Sequence, residues 1–354
     1  MYLIMPERNG EWQYDPGTCM AIQVYVKDHL LKDEKVLFPY MMSPTIQIGK
    51  FQNAYEEANL GYMKEHHIKM LRRDTGGGAI YLDDQNMSFC FLFPGDNDIF
   101  GNYKKLYEPA VHALEKLGVK NIEQAGRNDL TIDGKKVSGA AMTLENGRIY
   151  AGFSLLLDPN FEAIVASLNP NEKKIKSHGI QSIRSRVDSI RPHLAEEYQQ
   201  MDVWEFTDYM ICAFLQIDSI KDAKQYVLTD EDWEHIDQLV AEKYNNWDWT
   251  FGRFQQFEYE LTERFSFGTI TIGMTITYGK ISNIQITGDF FGKKDIKDIE
   301  HALLNVRLKE DELIEAVQPF ELIDYFGGLT AESFAQFLLD TRQTEQTTTG
   351  KKEG

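Results

Sequence analysis

Between Asn128 and Gly139 the chain reads NDLTIDGKKVSG, and Asp133-Gly134 is the dipeptide that a two-residue hairpin turn selects, because both central residues must take positive φ. Such a turn dictates which side chains share a face. Pairing Ile132 with Lys135, Thr131 with Lys136, Leu130 with Val137 and Asp129 with Ser138 puts Leu130, Ile132, Val137 and the stem of Lys135 on one side. The other side collects Asp129, Thr131, Lys136 and Ser138 beside Gly139, where the missing side chain lets a ligand come close. Of the two adjacent lysines, this geometry selects Lys136.

The elements around the hairpin predict a two-domain α/β (α+β) protein. Asp15 to Leu31 has an Asp-Pro start and helical apolar spacing, and Tyr103–Leu117 is an amphipathic helix stopped by Gly118. Val36–Met41, Thr45–Gly49, Phe89–Phe93 and Arg148–Leu157 read as strands, the last two apolar enough to be covered on both faces. Pro192 to about Gln216 reads as mostly helical. Near Trp247 the texture changes to β-branched runs, Thr269–Tyr278 and Ile281–Thr287 with a turn at Gly279-Lys280, followed by helices over Asp295–Asn305 and Thr330–Asp340. We therefore expect a large domain with mixed sheets and flanking helices over 1–248, a small α+β domain over 249–340, and a disordered tail over 341–354.

Composition excludes several classes. A net charge of −18 gives no positive field for nucleic acid, and no apolar run approaches the roughly 20 residues of a membrane span. The N-terminus lacks the basic start, long apolar stretch and cleavage site of a secretory signal, so the expected location is cytoplasmic. Cys19, Cys90 and Cys212 are far apart, without metal-ligand spacing, and are read as reduced thiols.

Leu71–Asn86, LRRDTGGGAIYLDDQN, sets two arginines before three consecutive glycines and a strand. Such a run has a use where backbone N–H groups must face a phosphate or carboxylate, with Arg72 and Arg73 able to pair with the same anion. The alternative is a glycine-rich turn with two solvated arginines. The run is neither a Walker A loop nor a dinucleotide fingerprint.

RRDTGGGAIYLDDQN together with GRNDLTIDGKKVSG resembles the paired signatures of the lipoate–protein ligase A family, within the biotinyl/lipoyl ligase superfamily. IGKFQNAYEEAN, SLNPNEKKIKSHGIQSIRSRV, WDWTFG and TERFSFG are further family-like pieces in the right order. The resemblance implies a biotinyl/lipoyl-ligase-like catalytic domain with a small accessory domain. It implies an ATP- and Mg²⁺-dependent reaction that turns lipoate into lipoyl-AMP and passes the lipoyl group to a lysine of an acceptor. The implied acceptors are the lipoyl domain of a 2-oxoacid dehydrogenase or a glycine-cleavage H-like protein. By the family pattern, Arg72, Thr75 and Gly76, Gly77 and Gly78 lie along the acyl chain and adenylate, with Ala79, Ile80 and Tyr81 near the adenine. Asp83 and Asn86, in the element that follows the loop, and Gly152 are also expected to bind the acyl group or adenylate. Asn128 and Asp129 serve the nucleotide and metal end, Lys136 matches the essential lysine, and Ser138, Gly139 and Ala141 line the acyl tunnel. The basic residues Lys173, Lys174, Lys176, Arg184, Arg186 and Arg191 resemble a flexible segment that covers the adenylate.

Two departures stand out. Leu82-Asp83-Asp84-Gln85-Asn86 replaces the family's His-Asp-x-Gly-Asn, and Gly152 or a neighbour replaces a histidine before a buried strand, so a divergent paralogue is expected. Two other functions are an ATP-independent octanoyl or lipoyl transferase, which would need an activated cysteine, and a non-catalytic protein that captures lipoyl domains.

Overall fold

The computed structural model describes residues 1–168, 185–252, 257 and 259–339. They form two compact units. One holds Met1–Lys50, Ala54–Thr75 and the described residues from Ala79 to Gly252; the other holds Phe51–Asn53, Gly76–Gly78 and the described residues from Phe257 onward. The expected tail over 341–354 lies outside the described residues, as do Lys173, Lys174, Lys176 and Arg184.

The first unit is built on β1 (Tyr2–Leu3), β2 (Val36–Tyr40), β3 (Thr45–Ile48), β4 (Lys69–Arg72), β5 (Ile80–Leu82), β6 (Met87–Pro94), β7 (Ile122–Ala125), β8 (Asp129–Ile132), β9 (Lys135–Glu145) and β10 (Arg148–Leu155). A seven-stranded sheet runs in the order β1-β2-β6-β10-β9-β8-β7, and a three-stranded sheet in the order β4-β3-β5. Only β1–β2 in the large sheet and β3–β4 in the small one are parallel, which makes both sheets mixed. Strands in the middle of the large sheet are covered on both sides. Phe89, Phe91, Phe93, Ile149, Ala151 and Phe153 pack against helices α1 (Tyr103–Lys116) and α2 (Val203–Leu215). Cys90, Leu92 and Tyr150 belong to a second cluster with helix Pro16–His29, which starts where Asp15 accepts from the Thr18 amide.

The second unit is an antiparallel sheet of β11 (Tyr259–Phe265), β12 (Gly268–Thr277) and β13 (Lys280–Gly288), covered by helices Lys297–Leu303, Glu310–Val317, Leu322–Phe326 and Ala331–Leu339. The turn between β12 and β13 sits on Tyr278 and Gly279, both at positive φ, one residue earlier than expected. Between 192 and 216 only Val203–Leu215 is an α-helix. Short 3₁₀ turns at Arg191–His193 and Glu196–Tyr198 precede it.

Candidate active site

The hairpin of β8 and β9 forms at the expected turn, with Asp133 at φ 50° and Gly134 at φ 78°. Next to the turn the expected pairs hold: Ile132 faces Lys135 and Thr131 faces Lys136. Beyond them the register shifts by one residue, so Leu130 faces Ser138 and Asp129 faces Gly139, not Val137 and Ser138 as direct pairing required. A β-bulge of this kind sets two residues on one strand against one on the other and turns both the same way. Val137 and Ser138 are accordingly both fully buried.

The shift decides what surrounds Lys136. Its Nζ lies 2.8 Å from Asp129 Oδ1, and both side chains are a little over one-third exposed. A Cβ built on Gly139 would lie 3.0 Å from Lys136 Nζ, 3.1 Å from its Cε and 3.8 Å from Asp129 Oδ1. The lysine thus lies across the bare backbone of Gly139 to reach the carboxylate. We expect Gly139→Ala to leave the thermal transition within a few degrees but to lower any activity that depends on the Lys136 ammonium by roughly 10- to 100-fold, because an added methyl displaces the ammonium. Unchanged turnover would show that this close approach has no role in the chemistry.

Other bonds fix the same hairpin. The Lys136 amide donates to Arg186 O at 2.8 Å, and the Asp188 amide donates to Lys136 O at 2.9 Å. Asn128 and Ala140 are reciprocally bonded, the Asn128 Nδ2 donating to Ala140 O and the Ala140 amide to Asn128 O. Ser138 does not join the polar face expected for it: its hydroxyl is turned to Tyr107 on α1. Thr131 is buried too, and donates to Glu123 O. Arg191, expected in the basic segment, has defined partners within the first unit. It is held by Asp158 and by the carbonyls of Gln199 and Met201.

The arginine-glycine segment divides into distinct parts. Arg72 is 1% exposed, and its guanidinium donates to the carbonyls of Gly49, Lys50, Trp249 and Thr250, while Trp249 Nε1 donates back to Arg72 O. Arg73 is also buried, donating to Thr75 Oγ1 and Gln47 O, and burial pulls its pKa down to about 10. Neither arginine is solvated, so the plain-turn alternative fails for both. Asp74, to which the sequence pattern assigns no role, accepts from Lys243 and from the buried Tyr244 hydroxyl. Thr75 O accepts from the Lys50 amide.

Within the second unit, the three glycines differ. A Cβ on Gly76 would lie 2.3 Å from Phe290 O, Gly77 takes φ 97°, and a Cβ on Gly78 would meet nothing within 4 Å. Gly76→Ala should therefore lower the thermal midpoint by several degrees, whereas Gly78→Ala should leave it in place; equal shifts in a scanning calorimeter would contradict this division.

After the loop, Ala79 and Ile80 are half-buried and Tyr81 is buried. Asp83 and Asn86 close the turn between β5 and β6. Asp83 Oδ1 accepts from Asn86 Nδ2 at 2.6 Å and from the Gln85 amide at 3.0 Å, and burial raises its carboxyl pKa. Asn86 Oδ1 is buried with no protein donor among the described residues. Leu82 packs with Cys19 and Met42 in a small apolar cluster. Gly152 faces Ala141 on β9 and Cys90 on β6, and a Cβ there would lie 2.8 Å from Phe89 O, so any side chain at this position requires β6 to move.

Among the described residues no three His, Cys, Asp or Glu side chains converge as a ready metal cage. A single partly exposed carboxylate, Asp129, fits the way Mg²⁺ is commonly held, by one or two protein carboxylates together with substrate phosphates. Cys19 and Cys90 are buried and burial pushes their thiols up, as it does the half-buried Cys212; none has the depressed pKa of a nucleophilic thiol.

The first unit is a mixed-sheet fold with a lysine-carboxylate pair on a hairpin, and comparison with known proteins supplies the family. Residues 15–215 match the lipoyl protein ligase A/B catalytic domain, and residues 255–338 match the bacterial lipoate protein ligase C-terminus. The chain belongs to the lipoate–protein ligase family and is an enzyme of the ligase class. It is 49% identical over 338 residues to the lipoate–protein ligase of Streptococcus pyogenes, covering 96% of this chain and 99% of that one. Its fold is similar to that of P. falciparum LipL1, solved in complex with lipoate (TM-score 0.71, 20% identity, 91% of this chain and 94% of that one). It is similar also to a lipoate–protein ligase A solved with ATP (TM-score 0.58, 24% identity, 71% and 98%). No helix among the described residues is long and apolar enough to cross a membrane.

Proposed function

We propose that the protein is an ATP-dependent lipoate–protein ligase of the cytoplasm, with a catalytic part over 1–248 and an accessory part over 249–340. The observation that carries this reading is the Lys136 ammonium, held over Gly139 and against Asp129 on a hairpin braced from both sides. Membership of the family and the near-complete coverage of a relative named for this activity support it.

In the first step a lipoate carboxylate oxygen attacks the α-phosphorus of ATP, the bond to the β-phosphate oxygen breaks, and pyrophosphate leaves. Negative charge grows on the equatorial oxygens, and a preorganised ammonium such as Lys136 stabilises it more than it stabilises the ground state. Mg²⁺, when bound with the nucleotide, would neutralise phosphate charge beside Asp129. In the second step the acceptor lysine amine attacks the acyl carbon, an amide forms, a proton is lost and AMP leaves.

From the family resemblance we assign the Gly76–Gly78 loop, Thr75, Ala79, Ile80, Tyr81, Asp83 and Asn86 to adenylate binding, and Asn128 to the nucleotide. Gly139, Ala141 and Gly152 lie with the acyl chain. Arg72 acts there through the backbone carbonyls it holds, and Ser138 through its hydroxyl bond to Tyr107. Asn86 Oδ1, which meets no donor among the described residues, is an acceptor that a ligand can use. The absence of an activated thiol weighs against cysteine-dependent acyl transfer.

The test is to incubate the protein with ATP, Mg²⁺, lipoate and either a lipoyl domain of a 2-oxoacid dehydrogenase or a glycine-cleavage H-like protein, following AMP release and the acceptor's mass. AMP matched to a lipoyl mass gain is the expected result. Acyl transfer without ATP would point to the transferase, and silence with every acceptor to a capture protein.

A further inference from the structure

One buried hydroxyl in α1 has no part in the reaction just described. Tyr107 is fully buried, yet its phenol oxygen lies 3.1 Å from Asn128 O and 3.0 Å from Ser138 Oγ. A phenol has one hydrogen, so when it donates to the Asn128 carbonyl the Ser138 hydroxyl donates to it. One contact falls on the residue just before β8, next to Asp129, and the other on β9, two residues after Lys136. Phenylalanine would fill the same volume on α1. What the hydroxyl adds is a bond that only this hairpin receives.

Directly paired strands would set Ser138 opposite Asp129, with its side chain on the Lys136 face. The observed register turns Ser138 inward and brings Gly139 opposite Asp129 instead. A fully buried hydroxyl without a partner costs several kcal/mol in an apolar surrounding, so the inward position is tenable because Tyr107 meets it. Val137, the other residue of the bulge, is apolar and gains from the same burial.

We propose that Tyr107 is a positioning residue for the ligase reaction: by holding Ser138 on the core side it maintains the register shift that leaves Gly139 beneath Lys136 and opposite Asp129. The proposal rests on the ligase reading above. Tyr107 touches no substrate and acts through the geometry of two other residues.

The test compares Tyr107→Phe, Ser138→Ala and the double variant in the full chain. Lipoyl-AMP formation is measured without acceptor across lipoate concentrations, alongside thermal unfolding. Each single change should lower kcat for the adenylate by on the order of 10- to 100-fold with the KM for lipoate little changed. The double variant should be no slower than the slower single one, since both remove the same constraint. Tyr107→Phe with wild-type kcat overturns the proposal, as do losses that multiply in the double variant or a fall in unfolding temperature with kcat and KM intact. Should Tyr107→Phe not fold, the kcat of Ser138→Ala decides the question alone, a wild-type value overturning the proposal. A wild-type protein that makes no lipoyl-AMP would instead sink the ligase reading itself.

Discussion

Replacing Lys136 by alanine should reduce lipoyl-AMP formation by about 10²- to 10³-fold, the effect expected when one preorganised donor to a developing anion is lost, about 3–4 kcal/mol of barrier. The fold should survive, because the side chain is partly exposed and its backbone bonds to Arg186 and Asp188 do not depend on it. Lys136→Arg should recover little. A guanidinium is larger and planar, and the space over Gly139 is already filled to within about 3 Å of a hypothetical methyl. Pyrophosphate exchange and mass spectrometry of the adenylate are the measurements. Activity near wild type in Lys136→Ala would remove this residue from the mechanism, and with it the role given to Gly139.

The second large effect concerns Arg72 and is one of stability. Arg72→Met keeps much of the volume but leaves the carbonyls of Gly49, Lys50, Trp249 and Thr250 without the guanidinium that they share. Losing a guanidinium donor costs about 1–3 kcal/mol at each buried carbonyl and less at the part-buried ones, so a total on the order of 4 kcal/mol is expected. For a unit of this size that corresponds to a fall of roughly 10 °C in the unfolding midpoint. Arg72→Lys should be nearly as damaging, because a single ammonium cannot reach carbonyls arranged around a planar fork. If the midpoint stays put while the KM for lipoate rises steeply, Arg72 belongs with the ligand and not with the scaffold.

The turn at Asp133-Gly134 was readable because the requirement for two positive φ values is local. The register shift two pairs away was not: it depends on Tyr107, which comes from a helix in a distant stretch of sequence and whose position inside YKKLYEPAV looks like an ordinary place in an apolar stripe. Adjacent arginines before a glycine run suggested an anion site equally for both. Nothing in the run itself reveals that backbone near residue 250 closes on Arg72, since that contact is set by the tertiary fold. Helix Asp230–Leu239 could have been found, because Thr229 and Asp232 form a capping box visible as a short polar pattern. Helix Glu310–Val317 has no side-chain cap and offered no comparable start signal. The missing histidines were visible, but what stands in their place was not: Leu82 joins an apolar cluster, and Gly152 admits no side chain while β6 stays where it is.

Phe51 stacks on Phe290 with ring centroids 4.8 Å apart, and Gly76 lies against Phe290 O, although both come from near the start of the chain and the rest of their unit from its end. During synthesis these early segments emerge from the ribosome long before the strands they join. The carboxy-terminal unit therefore cannot finish its core from freshly made residues alone; it must recover pieces that have waited, and a nascent chain halted near residue 250 would hold an unsheltered aromatic ring.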